Sequence, residues 1–277
     1  GADFGPDTPG TQTSGIQEAI NYAQINNIQK INFIGDFNLS NTVYFNPNGT
    51  FTNPLVLDGT NATITNTSTI IFSISTNPNN TTGQPIYDLE IFGFHFITTK
   101  DYDILNFNQY GLSPPSYMPF VNIHDNIFEN GDAQIKTEGN FLHLTVTDNT
   151  FINPGPEGCI MINGSSFAPP IIIQNNIFVA GPDSAGSNAI LLNNNNLSTT
   201  SFTINGAIIS GNVFINESNA PTSGLSSVIY LGTPFGAGWS GCTITGNIFN
   251  LTAGWFNEIE DTGGFAYNVV IDSNIFF

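Results

Sequence analysis

The sequence predicts an all-β solenoid, a fold in which short parallel strands stack coil upon coil. One six-residue pattern recurs six times: an aliphatic residue, two turn formers, Asn, any residue and Phe. The Asn positions are 23 to 36 residues apart, an interval typical of solenoids and arrays. A unit this short cannot bury its own apolar face, so successive copies must stack. The copies span 123–128, 146–151, 173–178, 209–214, 244–249 and 271–276.

Each position of the pattern has a predicted place in a coil. The aliphatic residue and Phe point inward and form columns along the stack. The residue before Asn turns sharply and is mostly of a type that tolerates a left-handed backbone. The Asn side chains lie above one another and form an amide ladder that satisfies buried backbone groups. The predicted ladder consists of Asn126, Asn149, Asn176, Asn212, Asn247 and Asn274.

The chain provides about eight such coils, each with three short strands. Two weaker copies, 57–62 and 91–96, precede the six clear ones and lack the Asn. Their turn residues are Gly59 and Gly93. The pattern supplies two strands per coil, and a short apolar run supplies the third. The predicted third strands are 70–74, 104–107, 141–144, 160–162, 189–192 and 228–231.

The N-terminal part predicts an amphipathic helix over about residues 15–26. Its apolar residues recur at helical spacing on one face, and Ser14 with Gln17 indicates a capping box. A helix before the first coil would cover the open apolar end of the stack. The helical stripe consists of Ile16, Ala19, Ile20 and Ala23.

Two strand segments, 30–34 and 37–45, are predicted to follow the helix. We therefore divide the chain into an N-terminal segment with a capping helix, 1–30, and one solenoid domain, 31–277.

The charge balance argues against several classes of partner. The 277 residues include three Lys, no Arg and 21 acidic residues, which gives a net charge of −18. So few cations cannot neutralise a phosphate backbone or anionic headgroups, which argues against nucleic-acid binding and charge-driven membrane attachment. No run of about 18 apolar residues suggests membrane insertion. Uncharged polar residues must cover the surface, a composition that favours an exported protein.

Ten N-x-S/T sequons support an extracellular or cell-surface location. No signal peptide opens the chain, so an exported protein would be in its mature form. Chance triplets in a chain rich in Asn and Thr are the alternative explanation. The glycosylation candidates are Asn38, Asn48, Asn61, Asn66, Asn79, Asn80, Asn163, Asn196, Asn216 and Asn250.

The two cysteines, Cys159 and Cys242, are predicted to be free thiols. They fall two coils apart, a separation of about 10 Å at about 4.8 Å per coil, which is beyond disulfide reach. We expect both to pack as small hydrophobic residues.

Together these features resemble the right-handed parallel β-helix superfamily typified by pectate lyases, polygalacturonases and phage tailspikes. The ladder is similar to that family's turn with its inward Asn stack, and the opening of the chain also matches. The resemblance covers essentially the whole chain and implies a single-stranded right-handed parallel β-helix. The matching opening segments are Asp3–Gly5, Thr13–Ile20, Phe33–Phe37 and Leu57–Gly59.

The resemblance implies a fold rather than an activity, because this fold hosts lyases, hydrolases, adhesins and inert fibres. Pectate-lyase-like enzymes use an Arg or Lys base, and polygalacturonase-like enzymes carry paired Asp residues, Gly-His-Gly and Arg-x-Lys. This chain has no Arg and none of these motifs. The sequence therefore favours a non-catalytic role. The activities considered as alternatives are those of a glycoside hydrolase and a polysaccharide lyase.

Asp125 and Asp148 are the best candidate catalytic carboxylates. They share one pattern position on adjacent coils and would stack about 5 Å apart, a separation suited to a retaining glycosidase or a calcium site. His124, beside Asp125, is a candidate base. The interpretation we favour is that both Asp residues are turn residues that accept a left-handed backbone.

A second candidate site is the dense acidic cluster of Glu258, Glu260 and Asp261. These carboxylates could bind calcium. The favoured interpretation is that the cluster is a solvated acidic surface, because the spacing of its residues matches no defined calcium-binding loop. Glu138 with Lys136 is interpreted as a surface pair. The aromatic residues that could stack on sugars, or pack at a cap or interface, are Tyr110, Tyr117, Trp239 and Trp255.

The last copy of the pattern ends at Ile275, Phe276 and Phe277, so we expect something to cover its strand edge. Another copy of the protein could do so, or a cap folded back from residues 232–242 or 252–265. The leading hypothesis is therefore an exported, glycosylated, non-catalytic surface protein that assembles with itself into a filament or layer. The alternatives are a carbohydrate-active or carbohydrate-binding protein for neutral glycans and a tailspike-like receptor-binding protein that forms lateral trimers.

Overall fold

The described residues are predominantly β with one α-helix, and all of the described strand pairs are parallel. This architecture is consistent with the predicted parallel β solenoid. The structure is a computed structural model that describes residues 3–45, 54–75, 88–99, 101–108, 117–118, 120–138, 140–141, 143–163, 170–184, 186–193, 204–217, 220, 227–232, 239–251, 259–261 and 266–277.

Helix α1 (Ile16–Ile25) packs on the first strands through Ile16, Ile20 and Ala23, which are buried. The predicted capping box is wrong. The Ser14 hydroxyl donates to the Asn38 carbonyl, and the Gln17 side chain bonds to the backbone of Tyr44. The hydroxyl of Thr13 instead accepts the Gln17 backbone N–H at 3.1 Å. Gly15 begins the helix with a φ of 85°, which places it in the left-handed region.

Three strand positions recur in order along the chain. Two long strands, β4 (Leu55–Asn66) and β6 (Leu89–Thr98), run through both the first and the second position. The other first-position strands are β1 (Lys30–Asn32), β9 (Val121–His124), β13 (Leu144–Thr147), β16 (Ile171–Gln174), β20 (Ala207–Ser210), β24 (Thr243–Thr245) and β28 (Val270–Asp272). The other second-position strands are β2 (Gly35–Leu39), β10 (Ile127–Glu129), β14 (Thr150–Ile152), β17 (Ile177–Ala180), β21 (Val213–Asn216), β25 (Ile248–Asn250) and β29 (Ile275–Phe276).

The third position has its own set of strands, and five short strands lie outside the three positions. The third-position strands are β3 (Val43–Phe45), β5 (Phe72–Ser75), β7 (Leu105–Asn108), β11 (Ala133–Glu138), β15 (Gly158–Asn163), β18 (Ile190–Asn193), β22 (Ile229–Gly232) and β26 (Ile259–Asp261). The short strands are β8 (Tyr117–Met118), β12 (Asn140–Phe141), β19 (Ile204–Asn205), β23 (Trp239–Ser240) and β27 (Ala266–Tyr267).

The first and second positions form one 16-stranded sheet that is joined through β4 and β6, and the third position forms an 8-stranded sheet. The register aligns successive copies of the pattern. Ile123 pairs with Val146, and Phe128 pairs with Phe151. Residues separated by one repeat in sequence are therefore direct neighbours in space.

The interior is organised around a stack of Phe rings. Consecutive ring centroids lie 4.8 to 5.4 Å apart, and neighbouring planes differ by 6 to 18°. This offset-stacked geometry is one that aromatic pairs prefer. The stack consists of Phe96, Phe128, Phe151, Phe178, Phe214, Phe249 and Phe276.

The six repeated Asn side chains form a continuous ladder beside the Phe stack. In each step the Oδ1 of one Asn accepts the backbone N–H and the Nδ2 of the preceding Asn, as Asn149 does from Asn126 at 3.0 Å. The Nδ2 also donates to a backbone carbonyl of the preceding coil, as Asn176 does to Val146 at 2.9 Å. The ladder thus satisfies backbone groups that the turns would otherwise leave buried and unpaired.

The turn before each of the six ladder Asn residues has the predicted left-handed backbone, and the one wrong prediction falls in a weak copy of the pattern. Gly93 also has a positive φ, but the prediction for Gly59 is wrong, because Asn61 carries the positive φ of that turn, 70°. Gly59 is required for space instead, since a Cβ there would lie 2.2 Å from the Phe94 ring. The positive-φ turn residues of the six clear copies are Asp125, Asp148, Asn175, Gly211, Gly246 and Ser273.

One predicted third strand was misplaced. Strand β11 occupies the third position where the 141–144 run was expected, and that run is divided between β12 and β13. The sequence of β11 is mostly polar, and only Ala133 and Ile135 provide buried aliphatic side chains. This weak apolar signal concealed the strand that carries Lys136.

Candidate functional site

A network of charged and aromatic side chains covers the outward side of the first-position strands near β9. His124 lies between two carboxylates, with Nδ1 2.7 Å from Asp125 Oδ2 and Nε2 3.0 Å from Glu90 Oε1. Phe92 stacks on the imidazole at 5.0 Å. The Lys30 ammonium lies 5.8 Å from the centre of the Phe92 ring. The register of β6 and β9 pairs Phe92 with His124, and Glu90, two residues before Phe92, reaches the imidazole although 34 residues separate Glu90 from His124.

The two carboxylates control the charge of His124. Burial favours the neutral imidazole, but the hydrogen bonds to Asp125 and Glu90 outweigh it and raise the pKa of His124 above its ordinary value of 6.5. A protonated imidazole would donate to both carboxylates. The pair formed by Lys30 and Asp58, 2.8 Å apart, continues the network, and the hydrogen bond from Lys30 lowers the pKa of Asp58.

This network does not have the geometry of a glycosidase pair. A retaining glycosidase needs two carboxyl groups that face each other across the scissile bond. Here the imidazole of His124 lies between Glu90 and Asp125 and bonds to both. Asp125 and Asp148 both occupy exposed left-handed turns, as the favoured interpretation predicted. The described contacts therefore bring His124 and Asp125 together with a residue that the sequence did not indicate, Glu90.

A second cluster lies on the outward side of the third-position strands, and we call it the Lys136 cluster. Lys136 Nζ lies 2.5 Å from Glu157 Oε2 and 3.9 Å from Asp103 Oδ2. Asp103 accepts hydrogen bonds from Asn106 Nδ2 at 2.6 Å and from the Ala133 backbone N–H at 3.2 Å. The Lys136 side chain is only 16% exposed and contacts Glu157 and Asp103, and the predicted pair with Glu138 stays a prediction because the side chain of Glu138 lies outside the described residues.

Burial and like charge raise the pKa values of two carboxyl groups in this cluster. Burial raises the pKa of Asp103 to about 6, against the attraction of Lys136. Burial, followed by the charge of Glu157, raises the pKa of Asp132. Carboxylate oxygens of Asp103, Asp132 and Glu157 lie within 4.8 Å of one another and could together hold a metal ion. A metal ion would compete with the Lys136 ammonium, which already lies among these carboxylates.

The acidic residues near the end of the chain are only partly described. Glu258 lies outside the described residues, as does the side chain of Asp261. Glu260 accepts a hydrogen bond from the Ser227 hydroxyl. The proposed calcium site at these residues stays a prediction.

A third feature is an aliphatic surface on the outward side of the second-position strands, which we call the aliphatic face. Its first column lies at the position between Asn and Phe of each copy, where every residue is β-branched and Ile127, Ile177 and Ile275 are 40 to 49% exposed. A second column, formed by β14, β17 and β21, lies beside it. The first column is Ile127, Thr150, Ile177, Val213, Ile248 and Ile275, and the second is Ile152, Val179 and Ile215.

The outward residues of the first-position strands in the same coils provide a comparison. Thr147, Gln174, Ser210 and Thr245 form a polar column there. A strand in this fold thus does not require aliphatic residues on its outer side. The other outward columns are mixed, since Ile172 and Ile208 lie beside the polar column and Met161 and Leu191 lie outward on the third-position strands.

A small cavity of about 220 Å³ lies under α1, lined by Phe4, Ile16, Phe33 and neighbouring residues. Ligand sites usually occupy about 300 Å³ or more. We assign no ligand to it.

The sequon positions divide by exposure. Asn38, Asn61 and Asn250 are exposed, whereas Asn66, Asn163 and Asn216 are buried. A buried side chain is a poor acceptor for a glycan in the folded protein, so the placement favours the exposed three. The candidates outside the described residues are Asn48, Asn79, Asn80 and Asn196.

Cys159 and Cys242 are both free and buried, as predicted.

The candidate interface residues Ile275, Phe276 and Phe277 are 49, 52 and 79% exposed. Tyr110 and Trp255, and the side chains of Tyr117 and Trp239, lie outside the described residues.

Neither models of protein families, nor curated proteins, nor solved structures give a match to this chain. In the described part of the chain, no helix combines the length and the apolar character needed to cross a membrane.

Proposed function

We propose that this protein is an exported, non-catalytic structural protein whose right-handed parallel β-helix of about eight coils associates side by side with copies of itself. The observation that carries this proposal is the aliphatic face. It is aliphatic at eight of its nine positions, whereas the neighbouring column of the same coils is polar. Three of its residues, Ile127, Ile177 and Ile275, are exposed, and contiguous apolar patches larger than a few hundred Å² mark interaction sites.

The size of the face indicates how strong the association should be. The first column spans six strands, about 24 Å at about 4.8 Å per strand, and the second spans three, so the projected area is below about 250 Å². A stable interface buries about 800 Å² per partner. We therefore expect weak pairwise association that becomes extensive only at high concentration or when polar residues at the rim join the contact.

The partner proposed is a second copy, because a flat sheet face is complementary to another flat sheet face. Packed sheets lie about 10 Å apart with interdigitated side chains. Glu129 flanks the second column of the face and is paired with His95 at 3.0 Å, so a polar pair lies at the rim of the apolar columns.

The charge and aromatic network around His124 supports a non-catalytic role. Its polar atoms are engaged with one another, and the ring of Phe92 already contacts His124 and Lys30. End-on association through Ile275, Phe276 and Phe277 stays a separate prediction, as do glycosylation, the receptor-binding alternative and calcium binding.

Sedimentation velocity over a range of protein concentrations tests the proposal. We expect the weight-average sedimentation coefficient to rise with concentration. It should also rise with salt, because salt screens the repulsion between copies of charge −18 but leaves apolar contacts in place. A single monomeric species at every concentration and salt level would contradict self-association. Electron micrographs would separate side-by-side pairs from rods that lengthen end to end.

A further inference from the structure

Lys136 lies in the arrangement that an amide-forming reaction requires. Its Nζ, a potential nucleophile, is 2.5 Å from the Glu157 carboxylate and 3.9 Å from the Asp103 carboxyl. We propose that Lys136 and Asp103 form an intramolecular isopeptide bond, with Glu157 as the group that accepts and returns protons. This inference goes beyond the proposed function and does not depend on it.

The carboxyl of Asp103 is placed as the electrophile. Its side chain is 9% exposed, and each of its oxygens accepts a hydrogen bond, Oδ1 from the Ala133 backbone N–H and Oδ2 from Asn106 Nδ2. Such donors stabilise the negative charge that develops on oxygen when a nucleophile attacks a carbonyl carbon. The protonated carboxyl of Asp103 is the form that can lose water, so the reaction starts from it.

The reaction balances without an external reagent. Glu157 takes a proton from the Lys136 ammonium, and the neutral amine attacks Asp103 Cγ to form the C–N bond. The Ala133 N–H then stabilises the tetrahedral oxyanion. Glu157 gives its proton to the departing hydroxyl as the C–O bond breaks, and water leaves. The Glu157 carboxylate then accepts a proton from the nitrogen of the new amide. That last proton passes to solvent, and no group is oxidised or reduced.

The surroundings suit both the approach and the product. Lys136 Nζ and Asp103 Cγ must come within about 3 to 3.5 Å of each other to react. Rotation of the Lys136 side chain can supply this movement. Asn106 is the register partner of Lys136 on the neighbouring strand. Its Oδ1 is buried and has no hydrogen-bond partner among the described residues, so it is an available acceptor for the N–H of the new amide.

The bond would join the segment before β7 to β11, which are neighbours in the 8-stranded sheet. It would replace a buried ion pair by a neutral covalent cross-link between strands that are otherwise held by hydrogen bonds and packing. Lys30 offers a matched comparison, because it contacts Asp58 at 2.8 Å but is 50% exposed.

Intact-mass spectrometry of the purified folded chain tests the proposal. We expect a mass lower than the sequence mass by one water, and a branched peptide joining Lys136 to Asp103 after digestion. Lys136→Met and Glu157→Gln should retain the full mass while keeping the wild-type circular dichroism spectrum, and Lys30→Met should still lose water. A folded wild-type protein that keeps its full mass after days of incubation would overturn the proposal. A branch at Glu157 or Asp132 would also overturn it, and water loss in Glu157→Gln at the wild-type rate would remove Glu157 from the mechanism.

Discussion

At the scale of single residues, the environment of each side chain determines its ionisation. His124 is partly buried, yet Asp125 and Glu90 hold its pKa above 6.5. A pKa that is higher in the folded state than in the unfolded chain means that protonation stabilises the fold. That stabilisation is fully present below pH 6.5 and is lost as the pH rises through the folded-state pKa.

We predict that His124→Gln lowers the free energy of unfolding more at about pH 5.5 than at about pH 8.5. Urea denaturation at a series of pH values measures this difference. His143→Gln is the control, because the Nε2 of His143 contacts the Thr145 hydroxyl rather than a carboxylate. A His124→Gln effect that is independent of pH would show that the two carboxylates do not hold the proton on His124.

Burial also governs the two thiols. It raises the pKa of Cys242 to about 12 and that of Cys159 well above its ordinary range. We predict that neither thiol reacts with a disulfide reagent at about pH 8 in the native protein, because only the thiolate is nucleophilic. Both should react once the chain is unfolded in denaturant. Rapid labelling of the native protein would contradict the buried placement.

At the scale of elements, the Asn ladder links each turn to the next. The Oδ1 of Asn176 accepts the backbone N–H and the Nδ2 of Asn149 at 3.0 and 3.1 Å, and its own Nδ2 donates to Val146. A truncated side chain would leave these groups buried without partners. Each such group costs about 1 to 3 kcal/mol.

We predict that Asn176→Ala lowers the free energy of unfolding by about 3 kcal/mol or more, since it orphans several buried groups. The exposed residue Asn250 is the matched control, and Asn250→Ala should change the value by less than about 0.5 kcal/mol. Urea denaturation of both variants checks the prediction. Equal effects would mean that the ladder contributes no more than a surface amide.

The sequence predicted the elements whose residues repeat. The ladder and the Phe stack follow from one pattern position each, and the parallel register places successive copies next to one another. Strand β11 was missed because only Ala133 and Ile135 give it buried aliphatic side chains. Gly59 was misread because close contact with Phe94, and not a left-handed backbone, requires a glycine there.

The two polar clusters were harder to foresee than the strands. Glu90 meets His124 across neighbouring strands, and Glu157 meets Lys136 across 21 residues of sequence. Such contacts depend on the register and on the path of the turns, which composition does not reveal. The aliphatic face did leave a signal, because the residue between Asn and Phe is β-branched in all six clear copies.

At the scale of the whole molecule, the two outer faces of the same coils differ in character. The first-position face carries the polar column and the His124 network, whereas the first column of the second-position face is aliphatic in five of its six strands. A net charge of −18 keeps copies apart at low ionic strength. Contact through the aliphatic face should therefore depend on concentration and on screening.

The central claim, association through the aliphatic face, is tested most directly by two lysine variants in one coil. Ile177 lies on the aliphatic face, and Gln174 lies on the polar column of the same coil. Ile177→Lys and Gln174→Lys add the same charge to the same molecule. In sedimentation velocity at high protein concentration and high salt, we predict that Ile177→Lys abolishes association and that Gln174→Lys associates as the wild type does. Association of Ile177→Lys at the wild-type level, or equal loss in both variants, would contradict the account.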